Sequence, residues 1–284
     1  MAVSQSSYRG CLLGLAVGDA MGYTVDNRSW QEIQEDYGPN GLLGYDLVNG
    51  YADVTSYTQL AAFTCNGLLF GLTRGQMLGK MAPFIKYVGM SSREWAASQR
   101  PWGRPTRNYC WLLRKAELCR HCMDTRMLDT LSRPTLGTPE TPANNYDGPG
   151  GITTAIGVGL FFHEDRTDQH EIDLLGAETV ALTQGNPSAF LSGAVLAHIM
   201  SRLIRQPHLP LKRLGGGGRG GHERAVRPPV QSGVRGRDIG APRHHLLGIP
   251  QSQPRGRDGA LGLRQRRAGA CRGRLHLPDQ FRRL

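Results

Sequence analysis

The sequence predicts an all-α protein, on three observations. Apolar residues recur at spacings of three and four over seven segments, no alternation of period two persists beyond a few residues, and small residues crowd the helical stretches. The first predicted helix is Tyr8 to Met21, with Ser6 and Ser7 as cap residues. Within it Gly10, Gly14, Gly18 and Gly22 fall at intervals of four and share one face. Glycine costs about 1 kcal/mol relative to alanine in a helix interior, so this face is expected to meet another backbone or a ligand closely.

Helices follow at Thr58 to Leu72, Gly75 to Val88 and Thr106 to Arg126, then at Ile152 to His163, His170 to Thr183 and Pro187 to Ile204. Asp168 is placed to cap the sixth, and Asn186-Pro187 supplies cap and first position of the seventh.

Charge divides the chain. The net charge of +11 lies wholly in residues 215–284, which hold fifteen Arg, no Lys and four acids, whereas residues 1–214 balance. The domain division is therefore a helical domain over 1–214 and a Gly/Arg/Pro-rich tail over 215–284 whose only aromatic is Phe281. Three readings of the tail stand: a basic segment that contacts nucleic acid through phosphates, a low-complexity segment, or a stretch translated out of frame from GC-rich codons. The frameshift reading accounts best for the lack of lysine and of a repeated unit. Nucleic acid is accordingly not an expected partner.

No apolar run reaches the roughly 18 residues that cross a bilayer, and the opening "MAVSQSSYRG" lacks a basic stretch followed by a long apolar one. The expected compartment is the cytoplasm, with no membrane partner. Six cysteines at irregular spacings, in a chain this long, are expected to be reduced thiols. Cys119 and Cys122 have the spacing of half a zinc site, but no second pair follows at a suitable distance.

Four blocks carry a resemblance: "GCLLGLAVGDAMG" (Gly10 to Gly22), "TSYTQLAAFTCNGLL" (Thr55 to Leu69), "NNYDGPGGITTAIGVGLFF" (Asn144 to Phe162) and "ALTQGNPSAFLSGAVLA" (Ala181 to Ala197). In order and character they resemble the ADP-ribosylglycohydrolases, over residues 8 to about 205. The resemblance implies a compact orthogonal helical domain, here incomplete at its C-terminus, and Mg²⁺-dependent hydrolysis of the glycosidic bond to ADP-ribose. It also implies a two-magnesium site built from a Thr-Asp-Asp helix start and a second acidic motif near the C-terminus, resembling Gly-Gly-Asp-x-Asp-Thr.

Placed on that pattern, Thr55 stands at the retained threonine, while Ser56 and Tyr57 stand at the two aspartates. A serine hydroxyl is a weak Mg²⁺ ligand and a phenol of pKa near 10 a poorer one. Asp53 is a single carboxylate two residues earlier, and Thr55 also reads simply as a helix cap. The acids after Gly215 are Glu223, Asp238, Asp258 and Asp279, none in a D-x-D pair. Mg²⁺ is the family's cofactor and is not expected to bind here.

The resemblance further assigns substrate contact to Asp147, Gly148, Gly150 and Gly151 in a tight loop at a helix start, and to Gln184. Asp147 brings like charge to a pyrophosphate, Pro149 lacks an N–H donor, and Thr154 stands where the family carries arginine. Gln184 and Asn186 occupy positions where the family usually has histidine. Asp19 reads as a structural residue bonding a neighbouring turn, or as a lone acid at the site's floor. His163, His170 and His198 have no partner at metal spacing and read as surface or helix-end residues.

The functional readings are an ADP-ribosylglycohydrolase-family protein with impaired hydrolysis, a non-catalytic binder of an ADP-ribose-like ligand or a protein, and a decayed gene product. No residue is assigned a catalytic role.

Overall fold

The computed structural model describes residues 4–47, 50–100, 109–114, 124–162, 167–206, 208 and 210. Among these there is no strand, and eight α-helices follow in order. They are α1 Gln5–Gly22, α2 Trp30–Tyr37, α3 Ser56–Leu78, α4 Phe84–Gln99, α5 Thr125–Leu131, α6 Thr154–Phe161, α7 Gln169–Ala181 and α8 Pro187–Leu203. Single 3₁₀ turns stand at Tyr23–Val25, Trp111–Arg114 and Pro149–Gly151.

Local chemistry fixes most boundaries. Ser4, rather than Ser6 or Ser7, caps α1 by accepting from the Ser7 N–H, while Asp168 and Asn186 cap α7 and α8 as expected. The unpredicted α2 opens on a capping box, in which Ser29 and Glu32 satisfy each other's backbone N–H groups.

Two predicted helices are corrected. Gly75 to Val88 is not one helix: Gly79 ends α3 in the left-handed region at φ 64°, and α4 begins only after Pro83. Thr106 to Arg126 is also broken, because Asp124 is extended and caps α5. Within that stretch residues 106–108 and 115–123, including Cys119 and Cys122, lie outside the described residues, as do His163 and the tail from 211 onward.

The core is built from α3, α4, α6, α7 and α8. α3 lies along α4, α7 along α8, and α6 packs against α3, α7 and α8. Trp95, Phe63, Leu60, Leu68, Met127 and Leu131 are essentially fully buried at its centre, each contributing about 1.5–3 kcal/mol of transfer free energy. Small residues set the spacing. A Cβ on Gly67 would lie 2.8 Å from both the Tyr87 carbonyl oxygen and the Val88 Cα, and one on Gly176 would lie 2.9 Å from the Gly193 oxygen.

Polar groups inside are mostly paired. The Trp95 indole N–H donates to Gln59 Oε1 at 2.9 Å, and the Glu94 carboxylate accepts from the Tyr109 and Cys110 N–H groups, both at 2.8 Å. His198 is not a surface residue: it is buried on α8 with Nδ1 3.1 Å from both oxygens of buried Asp173 on α7. That partner lies 25 positions away, which the spacing of histidines cannot reveal. His170 is exposed, as expected.

The first helix departs from expectation. Ala20 is its only buried residue, Leu13 and Val17 are 51% and 43% exposed, and a Cβ on Gly10, Gly14, Gly18 or Gly22 would meet nothing within 4 Å. The glycine face of α1 therefore makes no close approach to any described neighbour. No described helix is long and apolar enough to cross a membrane.

Two predictions follow from this packing. Gly14→Ala stabilises the fold by up to about 1 kcal/mol through helix propensity alone, whereas Gly67→Ala destabilises it by about 1–3 kcal/mol because backbone must move; urea unfolding of both variants checks the opposite signs. Burial pushes the Glu178 carboxyl up to about 7, with Glu140 nearby adding to the shift. The folded pKa stands above the ordinary carboxyl value of 4.5, so stability present at acid pH declines as pH rises towards 7. Glu178→Gln removes that part of the decline, read as a flatter melting temperature against pH.

Candidate active site

Three segments meet at the start of α3. Thr55 caps the helix, its hydroxyl accepting from the Tyr57 N–H at 3.2 Å. Asp19 of α1 then holds that cap. Its carboxylate accepts from the Thr55 N–H at 2.8 Å, the Thr55 hydroxyl at 2.7 Å, the Thr58 N–H at 3.1 Å and the Thr58 hydroxyl at 2.7 Å. A carboxylate at a helix N-terminus is favoured by both dipole and orphan donors. The structural reading of Asp19 holds.

Ser56 and Tyr57 point to different fates for the two positions. Ser56 is fully buried and its Oγ has no hydrogen-bond partner. Tyr57 is half-buried and lies against the loop, since a Cβ on Gly150 would fall 2.8 Å from its Cε1 and about as close to the Met127 thioether. The Tyr57 carbonyl accepts from the Thr153 hydroxyl at 2.9 Å, tying α3 to the start of α6.

The loop containing Asp147, Gly148, Gly150 and Gly151 forms the tight turn expected of it, with Pro149 opening the 3₁₀ turn. Its glycines are required by side chains pressed on them. A Cβ on Gly148 would overlap the Tyr146 hydroxyl, and one on Gly151 would overlap Gln184 Oε1. Gln184 is fully buried; its Oε1 accepts from the Thr183 hydroxyl at 2.6 Å, while its Nε2 has no partner. Asp147 is exposed, and the Thr154 hydroxyl donates to the Gly151 carbonyl at 2.5 Å.

Sequence reasoning passed over the residues that hold this loop. Asn144 accepts from the Tyr146 and Gly185 N–H groups at 2.9 and 2.8 Å, and donates to Thr130 Oγ1 and the Thr183 carbonyl at 2.9 and 3.0 Å. The Tyr146 hydroxyl donates to Asp124, and the Arg126 guanidinium stacks 3.8 Å from the Tyr146 ring centroid. Burial pushes the Tyr146 phenol up to about 12, with the Asp124 hydrogen bond acting in the same direction. The Asn-Asn pair and the Asp124 cap are visible as turn signals, but their shared target is not.

Whether two magnesium ions suit these residues is answered by the donor set. Ser56 offers one neutral hydroxyl, the Tyr57 ring packs against Gly150, and both Asp19 oxygens are engaged by Thr55 and Thr58. Among the described residues no three or more His, Cys, Asp or Glu stand together so as to hold a metal ion. Hard divalent cations require several oxygen donors, mostly anionic, and the set at the start of α3 does not fit them. Thiol chemistry is disfavoured too, because burial pushes Cys65 and Cys110 up to about 12.

Asp19→Asn removes the charge from four hydrogen bonds and turns one acceptor into a donor facing donors. It is expected to destabilise the fold by at least about 2 kcal/mol, measured as a lower urea midpoint with loss of helix signal.

A family model described as ADP-ribosylglycohydrolase matches residues 2–229. No curated protein and no solved structure matches the chain. The chain belongs to the ADP-ribosylglycohydrolase family.

Proposed function

We propose that this member of the ADP-ribosylglycohydrolase family has lost the metal-dependent hydrolysis of its relatives and is a non-catalytic descendant of a hydrolase. The observation that carries the reading is the start of α3, where the Ser56 hydroxyl is buried without a partner and the Tyr57 ring packs on Gly150, at the two positions that the resemblance gives to metal-binding carboxylates. With neutral groups at those two positions and the Asp19 carboxylate engaged by Thr55 and Thr58, the start of α3 is poorly equipped to gather two divalent ions and to orient a water against the anomeric carbon.

The glycine loop gives the remaining capacity. Gly148, Gly150 and Gly151 keep a tight turn before α6, which favours a nucleotide-like ligand such as ADP-ribose as the residual binding partner. Affinity is limited by Asp147, by the N–H missing at Pro149, and by Tyr146 and Tyr57 already lying on the loop. The free thiols Cys11, Cys65 and Cys110 fit residence in a reducing compartment, the cytoplasm. The helical domain is assigned to residues 1–214 and the Gly/Arg/Pro-rich tail to 215–284, which are not required for this reading.

Calorimetric titration of Mg²⁺ and ADP-ribose into the purified chain, beside a Ser56→Asp/Tyr57→Asp variant, tests it. The expected result is no metal-dependent heat and no release of ADP-ribose from a modified protein by the natural chain. Mg²⁺-dependent binding or turnover by that chain overturns the proposal. A metal-dependent signal gained by the double variant locates the loss at these two positions.

A further inference from the structure

Where the end of α4 meets the end of α5, three arginines converge around an open groove whose lining includes none of Asp19, Thr55, Ser56, Tyr57 or the glycine loop. It has a volume of about 380 Å³ and is lined by Arg93, Ala97 and Arg100 of α4 and its end, and by Leu131, Arg133 and Pro134 where α5 stops. Ser132 also borders it, but its hydroxyl is committed to the Leu128 carbonyl at 2.6 Å. That volume is within the range of small-ligand sites.

The guanidinia are held in place. Arg93 Nη2 donates to the carbonyls of Arg133 and Pro134 at 2.6 and 2.7 Å, and Arg133 Nη1 donates to the Ala143 carbonyl. These bonds use only part of each planar fork of five donors, and Arg93 Nε is buried without a hydrogen-bond partner. Among the described residues the carboxylate paired with the three is Asp129, at 3.4 Å from Arg100, in a pair that is 48% and 74% exposed. So weak a contact leaves the Arg100 fork available. The carbonyl end of the short α5 contributes partial negative charge, which three full positive charges outweigh.

We propose that this groove binds a phosphate group carried on an organic molecule, a phosphate monoester or diphosphate. Arginine forks match the spacing of phosphate oxygens and form charge-assisted pairs, and the Ala97 and Pro134 side of the groove offers an apolar surface for the group that carries the phosphate. The inference does not depend on whether the start of α3 retains any chemistry.

Calorimetry at low ionic strength, with phenyl phosphate and inorganic phosphate as separate probes, tests the site in the full chain. Arg100→Gln and Asp129→Asn are compared with the natural protein, because neither residue fastens a backbone carbonyl and a thermal melt confirms that each variant folds. Arg100→Gln weakens phenyl phosphate binding roughly tenfold by removing one fork. Asp129→Asn tightens it severalfold, a gain that damage to the fold cannot imitate. The tail's arginines are the same in all three chains, so anion binding there leaves the affinities equal, and equal affinities overturn the proposal. Tighter binding of phenyl phosphate than of inorganic phosphate supports an ester as the occupant; equal binding of the two probes that still follows the substitutions overturns the organic carrier and assigns free phosphate.

Discussion

The carboxylate of Asp19 is the contact on which the rest of the architecture turns. α1 buries almost nothing of its own, so hydrophobic transfer contributes little to holding it. Beside a small apolar contact of Ala16 and Ala20 with Ala52 and Val54, one charged group joins it to the start of α3, engaging two N–H groups and two hydroxyls across 36 and 39 positions of sequence. Hydrogen bonds to an ionised group are individually stronger than neutral ones, and these four are organised by one helix terminus. They also fix the first turn of α3. The orientation of Ser56 inward and of Tyr57 toward the glycine loop follows from that turn.

Small residues serve two unlike purposes in this chain, and only the environment separates them. Gly176 and Gly193 let the backbones of α7 and α8 approach until each would exclude the other's Cβ. Dispersion and the buried Asp173 and His198 pair then act across a short gap. The glycines of α1 recur just as regularly, yet none of the described residues lies over them. Regular spacing reports that residues share a face, and says nothing of what stands opposite.

The same distinction explains how far the sequence could be read. Caps at Thr55, Asp168 and Asn186 are legible because a cap is satisfied within three residues of itself. The break between α3 and α4 is marked by Gly79 and Pro83, but apolar periodicity ran over both, and backbone conformation overrode it. At the site, Thr55, Ser56 and Tyr57 stand at the start of α3 and the glycines in the tight turn before α6. Their closure is another matter. Tyr146, Asp124, Arg126 and Asn144 act through partners 14 to 41 positions away, and no local pattern announces such a set.

Two adjacent carboxylates at a helix start repel each other and need cations to be stable in a buried setting. Ser56 and Tyr57 bring no such repulsion to the start of α3, and the loop rests on the Tyr57 ring. Polar pairing there is incomplete, however. Ser56 Oγ and Gln59 Nε2, one turn apart on α3, and Gln184 Nε2 above Gly151 are all buried without partners. Each such group costs about 1–3 kcal/mol, and an interior repacked for stability alone would have replaced them with apolar side chains. Thr64, Asn66 and Thr179 are likewise buried without side-chain partners, so polar groups left unpaired belong to this interior as a whole and not to the start of α3 alone. The cap at Thr55 and the tight loop before α6 hold their geometry through bonds that do not involve these three atoms.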